Sequence, residues 1–181
     1  MLGLLLAAAV IGGPPLAAEA SQPARRGDPR GPRVATVVVD PSLVGAPVAA
    51  DVTGLSVEAR ALASPAIGAS GRTLPTLLRT LGPGVLRFGG NSVDRSFGYA
   101  PGGRVPSWAS GGYTDGDLDR LHALLLATGW TAMLGVSLGH FDPAAAQAQT
   151  RAAVEHLGST LSSVEVGNEP NLYYRGLRPP R

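Results

Sequence analysis

Residues 164 to 173 read VEVGNEPNLY, a β-branched run, a glycine, then Asn168-Glu169-Pro170 where a strand would end. A carboxyl group in that position can serve as an acid or a base. Cleaving a glycosidic bond needs one carboxylic acid to protonate the leaving oxygen, and a second carboxylate to attack or to activate water. The acid must hold its proton near neutral pH, which calls for burial or a charged neighbour. Glu169 is the candidate acid. Asn168 beside it offers an amide to a sugar hydroxyl, and Pro170 fixes the turn. The plain alternative is a strand leading into a capped helix, with both side chains in water.

Three other strand ends carry polar residues in the same way. The first runs into Glu58 and Arg60. The second contains Arg87 and runs into Asn91 and Asp94. The third runs into Ser137 and His140, of which His140 reads as a loop residue. Glu165 shares the parity of Glu169 along its strand, so both can face one side, and an ion pair with Glu165 is one of two compatible roles open to Arg87.

These residues need a scaffold that brings four strand ends together. Strands are expected at 52–57, 85–88, 131–137 and 163–167. Helices alternate with them. One begins near Thr73, with Pro75 in its first turn and Gly82 as its stop. A second begins at Thr114 or Asp115, lines up Leu118, Leu121, Leu124 and Leu125, and closes at Gly129. A third has Asp142 as N-cap, Pro143 in first position and Gly158 as its stop. The stretch from Gly89 to about Gly112 is Gly/Ser-rich and reads as a long loop. Alternation of this kind implies α/β architecture with a parallel sheet and right-handed crossovers. Two arrangements fit: the first four units of a (β/α)8 barrel, or a small open doubly wound sheet. The chain has 181 residues, too few for a whole barrel of about 250. Barrel enzymes carry their chemistry at the carboxyl ends of the strands, which favours the partial barrel.

Ahead of this unit, residues 2–11 form an apolar run too short for a bilayer, and Ala18-Glu19-Ala20 suits signal-peptide cleavage. Residues 1–20 are therefore expected to be a leader for secretion, and Pro- and Arg-rich residues 21–33 a disordered linker. Val34–Val39 reads as a stray N-terminal strand within a segment 34–50, with the barrel unit filling 51–181. All fifteen basic residues are arginine and cysteine is absent, so no disulfide framework or thiolate chemistry is available. Between residues 50 and 170 eight Arg face ten Asp and Glu, a net of −2. Nucleic acid is thus not the expected partner, since a nucleic-acid module carries its positive patch on the fold itself.

The stretches LSVEARAL (55–62), VLRFGGNSVD (85–94) and VEVGNEPNLY (164–173) resemble the barrel glycoside hydrolases of clan A, and within them family 79, the heparanase and β-glucuronidase-like enzymes. The likeness spans about residues 34 to 175. It implies a retaining O-glycosyl hydrolase of β-linked sugars, narrowed to β-glucuronides, that uses neither metal nor organic cofactor. By that resemblance Glu169 is the acid/base, and Asn168 contacts the sugar 2-hydroxyl. Glu58 and Asn91 line the same pocket, and Arg87 and Glu165 support it. Relatives carry the nucleophile on a later strand, beyond this chain, and Val34–Val39 would belong to a β-sandwich otherwise absent. The expected partner is a carbohydrate. The alternatives are a sugar-binding module without catalysis and an unrelated small α/β domain.

Overall fold

The structure, a computed structural model, describes residues 35–43, 45–49, 52–174, 176 and 177. The expected leader, 1–20, and linker, 21–33, lie outside the described residues. Two units are distinguished, one up to Gly45 and one from Ala46. In the first, residues 35–39 form no strand, and Val37, Val38 and Val39 are more than four-fifths exposed. The expected strand is absent there because a β-branched run becomes a strand only when another backbone satisfies its amides and carbonyls. The chain instead turns at Asp40, whose Oδ1 accepts from the amide and hydroxyl of Ser42 at 2.9 and 2.6 Å.

The second unit is α/β. Its elements are β1 (Gly54–Glu58), α1 (Thr73–Leu81), β2 (Val85–Gly89), the single turn α2 (Ser92–Arg95), β3 (Phe97–Tyr99), β4 (Gly111–Tyr113), α3 (Asp115–Thr128), β5 (Thr131–Val136), α4 (Pro143–Leu157) and β6 (Leu161–Val166). The helices begin and end on local chemistry. Asp142 accepts from the amides of Ala144 and Ala145 at 2.8 and 2.9 Å, with Pro143 where no amide is needed. At the head of α3, the amide and hydroxyl of Thr114 donate to Asp117 Oδ2 at 2.7 and 2.9 Å.

Strands β1, β2, β5 and β6 form one parallel sheet in that order. The order follows the chain without a reversal, whereas a doubly wound sheet reverses at its switch point. Consecutive right-handed crossovers in one direction place their helices on one face. On that face Leu86, Phe88, Ala132 and Leu134 join a single buried cluster with Leu78 of α1, Leu118, Leu121, Leu124 and Leu125 of α3, and Ala152, Ala153 and Leu157 of α4. Leu118, Leu121, Leu124 and Leu125 are fully buried, as their helical spacing predicts, and the fifth leucine of α3, Leu126, points to solvent. On the opposite face the pleat presents Ser56, Arg87, Met133 and Ser163 in one row, and Glu165 two residues on from Ser163. None of these is buried.

The segment expected to be a loop is more ordered than its glycine content suggests. After α2, β3 and β4 pair in parallel as a second, two-stranded sheet. Phe97 and Tyr113 stack at 6.3 Å, and Tyr99 tilts against Tyr113 at 5.6 Å. An open groove of about 740 Å³ lies between α4 and β6, lined by Val136, Phe141, Val154, Val164 and Val166 among others. Among the described residues no helix is long and apolar enough to cross a membrane.

Candidate functional site

The polar residues of the open sheet face converge at the carboxyl ends of the strands. Arg87 organises them. Its Nε donates to Glu165 Oε2 and its Nη2 to Glu165 Oε1, both at 2.8 Å, a two-bond fork between guanidinium and carboxylate. Nη1 donates to Ser56 Oγ at 2.8 Å, and Nη2 also reaches Asn168 Oδ1 at 3.0 Å. Arg87 and Glu165 are each 28% exposed, so the pair is shielded on one side and open on the other. Because Asn168 gives its oxygen to Arg87, its Nδ2 must point the other way, where it lies 3.4 Å from Glu169 Oε2. The network thus sets the amide's orientation: acceptor inward, donors outward.

Glu58 stands at the end of β1 and receives the Ser92 amide on Oε2 at 2.9 Å. Burial would raise its pKa. Hydrogen bonding from Ser92 and from the Asn91 amide, with Arg60 nearby, outweighs burial and holds the carboxyl below its ordinary value. Asn91 contributes through its backbone here, and its side chain is exposed. Two glycines make room for the charged groups. A Cβ on Gly89 would lie 2.6 Å from Arg87 Cζ, and one on Gly90 2.6 Å from Glu58 Oε1. Gly90 also has φ +76°, a conformation that glycine adopts without strain.

Glu169 differs from expectation in one respect. Its carboxylate is exposed, so the burial that an acid at neutral pH calls for is not found around it among the described residues. Its backbone is unusual: φ 49° and ψ 57° place it in the left-handed region, and among the described residues it is the only non-glycine with positive φ. A residue before proline ordinarily takes an extended conformation. Strain of this kind persists only where the surroundings impose it.

The residues on either side of Glu169 are bound by Asp94, to which reasoning from the sequence assigned no role. Its side chain is 1% exposed and accepts five hydrogen bonds from two loops. Oδ1 receives Ser137 Oγ at 3.2 Å and the amides of Leu138 and Gly139 at 2.8 and 2.9 Å. Oδ2 receives the Asn168 amide at 2.6 Å and the Tyr173 hydroxyl at 2.7 Å. Burial alone would raise its pKa, but the amides of Gly139, Asn168 and Leu138 and the Tyr173 hydroxyl hold it below the ordinary value, so the group stays ionised. The signal present in the sequence was an acid closing the stretch VLRFGGNSVD and a tyrosine closing VEVGNEPNLY.

His140 belongs elsewhere. Its ring stacks on Trp108 at 4.7 Å and 10°. Both border a second cavity of about 540 Å³ beneath the β3–β4 excursion. Neither cavity is lined by Glu58, Arg87, Glu165, Asn168 or Glu169. The structure therefore joins Arg87, Glu165 and Asn168 directly, ties Glu169 on through Asn168, and sets Glu58 one strand away against α2. Among the described residues no group of three or more His, Asp or Glu side chains is placed to hold a metal ion. In comparison with known proteins, no family model matches the chain, and no curated protein matches its sequence.

Proposed function

We propose that the chain carries the acid/base half of a secreted, retaining O-glycosyl hydrolase acting on β-linked sugars, with β-glucuronides as the narrower substrate class. The observation that carries this reading is the oriented Asn168–Glu169 pair. Arg87 takes the amide oxygen, so the amide donors and the Glu169 carboxylate present themselves together beyond the end of β6. A sugar hydroxyl accepting from Asn168 would bring the glycosidic oxygen toward Glu169. In the first step Glu169 gives a proton to that oxygen as the C–O bond breaks. In the second it takes a proton from the water that releases the sugar. Glu58 and Glu165 are each engaged, with Ser92 and with Arg87. The nucleophile in this reading therefore stands on a strand other than β1, β2, β5 and β6. The unreversed strand order and the singly covered sheet support a partial (β/α)8 barrel, with the open polar face as the barrel interior. Export rests on the residues 1–20 pattern alone.

The exposure of Glu169 favours one rival, a sugar-binding module that does no chemistry. The test separates them. In the full-length protein expressed from its own gene, Glu169→Ala should retain turnover of aryl β-glucuronides with good leaving groups and lose that of poor ones. Azide should restore the second step and yield a glycosyl azide. The 181-residue chain itself should turn over no glycoside. Saturable binding of glucuronide, with no Glu169-dependent turnover in the full-length protein, would establish the binding module instead.

A further inference from the structure

Glu169 sits between two residues that are both tied to the same oxygen. The amide of Asn168, one residue before it, and the hydroxyl of Tyr173, four residues after it, both donate to Asp94 Oδ2. Within that span the Leu172 amide donates to the Glu169 carbonyl at 2.8 Å, closing a tight turn. The other oxygen of Asp94 holds Ser137, Leu138 and Gly139, the loop that follows β5. The Gly167 amide donates to the Val136 carbonyl at 2.8 Å, so the two loops are also joined directly.

We infer that Asp94 is the positioning residue of the site: its buried carboxylate pins the loop after β6 to the loop after β5 and thereby holds Glu169 in its left-handed conformation, with the carboxylate turned out beside Asn168. Asp94 touches no substrate in this scheme. It acts through Asn168 and Tyr173, and its relevance to sugar chemistry rests on the functional reading above.

Five donors leave no place for a proton donor at position 94. An asparagine there must turn its NH2 toward one set of donors. Turning it toward Oδ1's side would oppose two fixed amides, Leu138 and Gly139. Turning it toward Oδ2's side opposes one, Asn168, because the Tyr173 hydroxyl can rotate to accept. Asp94→Asn should therefore release Asn168 selectively.

The test uses the 181-residue chain labelled for NMR, with methyl β-D-glucuronide as the probe. In Asp94→Asn, hydrogen-exchange protection of the Asn168 amide should fall by about tenfold or more, while Leu138 and Gly139 change little. The backbone 13C shifts of Glu169 should move away from left-handed values, and probe affinity should fall. Tyr173→Phe removes one donor and leaves the acid in place. It should move the Glu169 shifts while the Asn168 amide stays protected. Asp94→Glu, which restores an acceptor, should recover part of the Asn168 protection. Folded Asp94→Asn with unchanged Asn168 protection and Glu169 shifts would overturn the inference. If Asp94→Asn does not fold, unchanged Glu169 shifts in Tyr173→Phe would overturn it. Shifts that move as expected, beside a full-length protein that neither binds nor turns over glucuronide, would keep the positioning role and sink the sugar reading. Glucuronide binding that Asp94→Asn leaves untouched, with shifts unmoved, would do the reverse.

Discussion

Arg87 and Glu165 are bonded through two 2.8 Å contacts although β5 runs between their strands. Strands two apart lie about 10 Å from each other. Only two long side chains reaching toward one another close that gap, and the absence of a side chain at Gly89 leaves room for the Arg87 guanidinium. Removing either partner leaves the other charge half-shielded and unpaired. Arg87→Met or Glu165→Gln alone should cost about 1–3 kcal/mol, between the values for exposed and fully buried pairs. The double variant should cost less than the two singles together, a coupling that urea unfolding of all four proteins would reveal. Additive losses would mean that the fork contributes nothing.

A second expectation concerns the glycine pair after β2. Gly90→Ala meets both a left-handed φ and the Glu58 carboxylate, so it should lower stability by about 1–2 kcal/mol. Gly89→Ala meets only the movable end of Arg87. It should cost less stability, yet loosen the fork to Glu165. Thermal unfolding ranks the two, and NMR of the Arg87 guanidinium reports the fork. Equal losses of stability would contradict this ordering.

Glu169 should be a residue that the fold does not prefer. A left-handed conformation costs an ordinary residue about 1–2 kcal/mol, and glycine does not incur it. Glu169→Gly should therefore raise the unfolding free energy by about 0.5–1 kcal/mol after the added chain entropy is subtracted. Glu169→Val should lower it, because a β-branched side chain tolerates positive φ poorly. A stabilised Glu169→Gly protein without sugar recognition would mark a position kept for its chemistry.

How much of this was legible in the sequence differs by element. Local rules located α1, α3 and α4 because their signals are neighbours in the chain: Pro75 and Gly82, Thr114 and Gly129, Asp142 and Gly158. An Arg87–Glu165 ion pair was one of two roles the sequence left open for Arg87, and the two-bond fork that forms needed the aligned strands. The region 91–112 read as a loop, since β3 and β4 are three residues each and half glycine. What orders them is aromatic packing of Phe97 and Tyr99 against Tyr113, a contact between distant residues. Residues 35–39 have strand-like composition, but no ladder forms on them. Asp94 was visible as a letter but not as a hub, because its donors come from residues 137 to 173 and meet it only once the strands are aligned.

Stability should also carry a mild pH dependence from His156. Its Nδ1 lies 2.7 Å from Asp119 Oδ1 and its Nε2 3.7 Å from Asp115 Oδ1, joining α4 to α3. The hydrogen bond to Asp119 chiefly raises its pKa; burial opposes this, and the charges of Asp119, Asp115 and Glu155 add to the rise. The folded value is thus above the unfolded value of about 6.5. The contribution is complete below pH 6.5 and fades as pH rises through the higher folded value. Wild-type stability should decline slightly from pH 6 toward pH 8, less so in high salt, and His156→Ala should flatten that slope. A slope unchanged in His156→Ala would assign it to another group.

The groove between α4 and β6 leads to a last expectation. Val166 on β6 is 60% exposed and Val154 on α4 57%, and β6 has no further strand partner among the described residues. The chain should self-associate as concentration rises, and Val166→Lys should suppress this in sedimentation experiments. Unchanged association would place the contact elsewhere.

The seating of Asp94 bears on protein engineering. A designer wishing to move the Asn168–Glu169 turn into another scaffold would naturally cut out residues 164 to 173, since they are contiguous. Cut that way, the turn leaves behind the acceptor that its Asn168 amide and Tyr173 hydroxyl require. It would be free to relax to the extended backbone usual before proline. The transferable module is discontinuous: the β2–α2 segment through Asp94, the loop after β5 and the turn after β6, moved together at fixed spacing. A scaffold that cannot hold three neighbouring strand ends in that register would receive the motif's letters without its geometry.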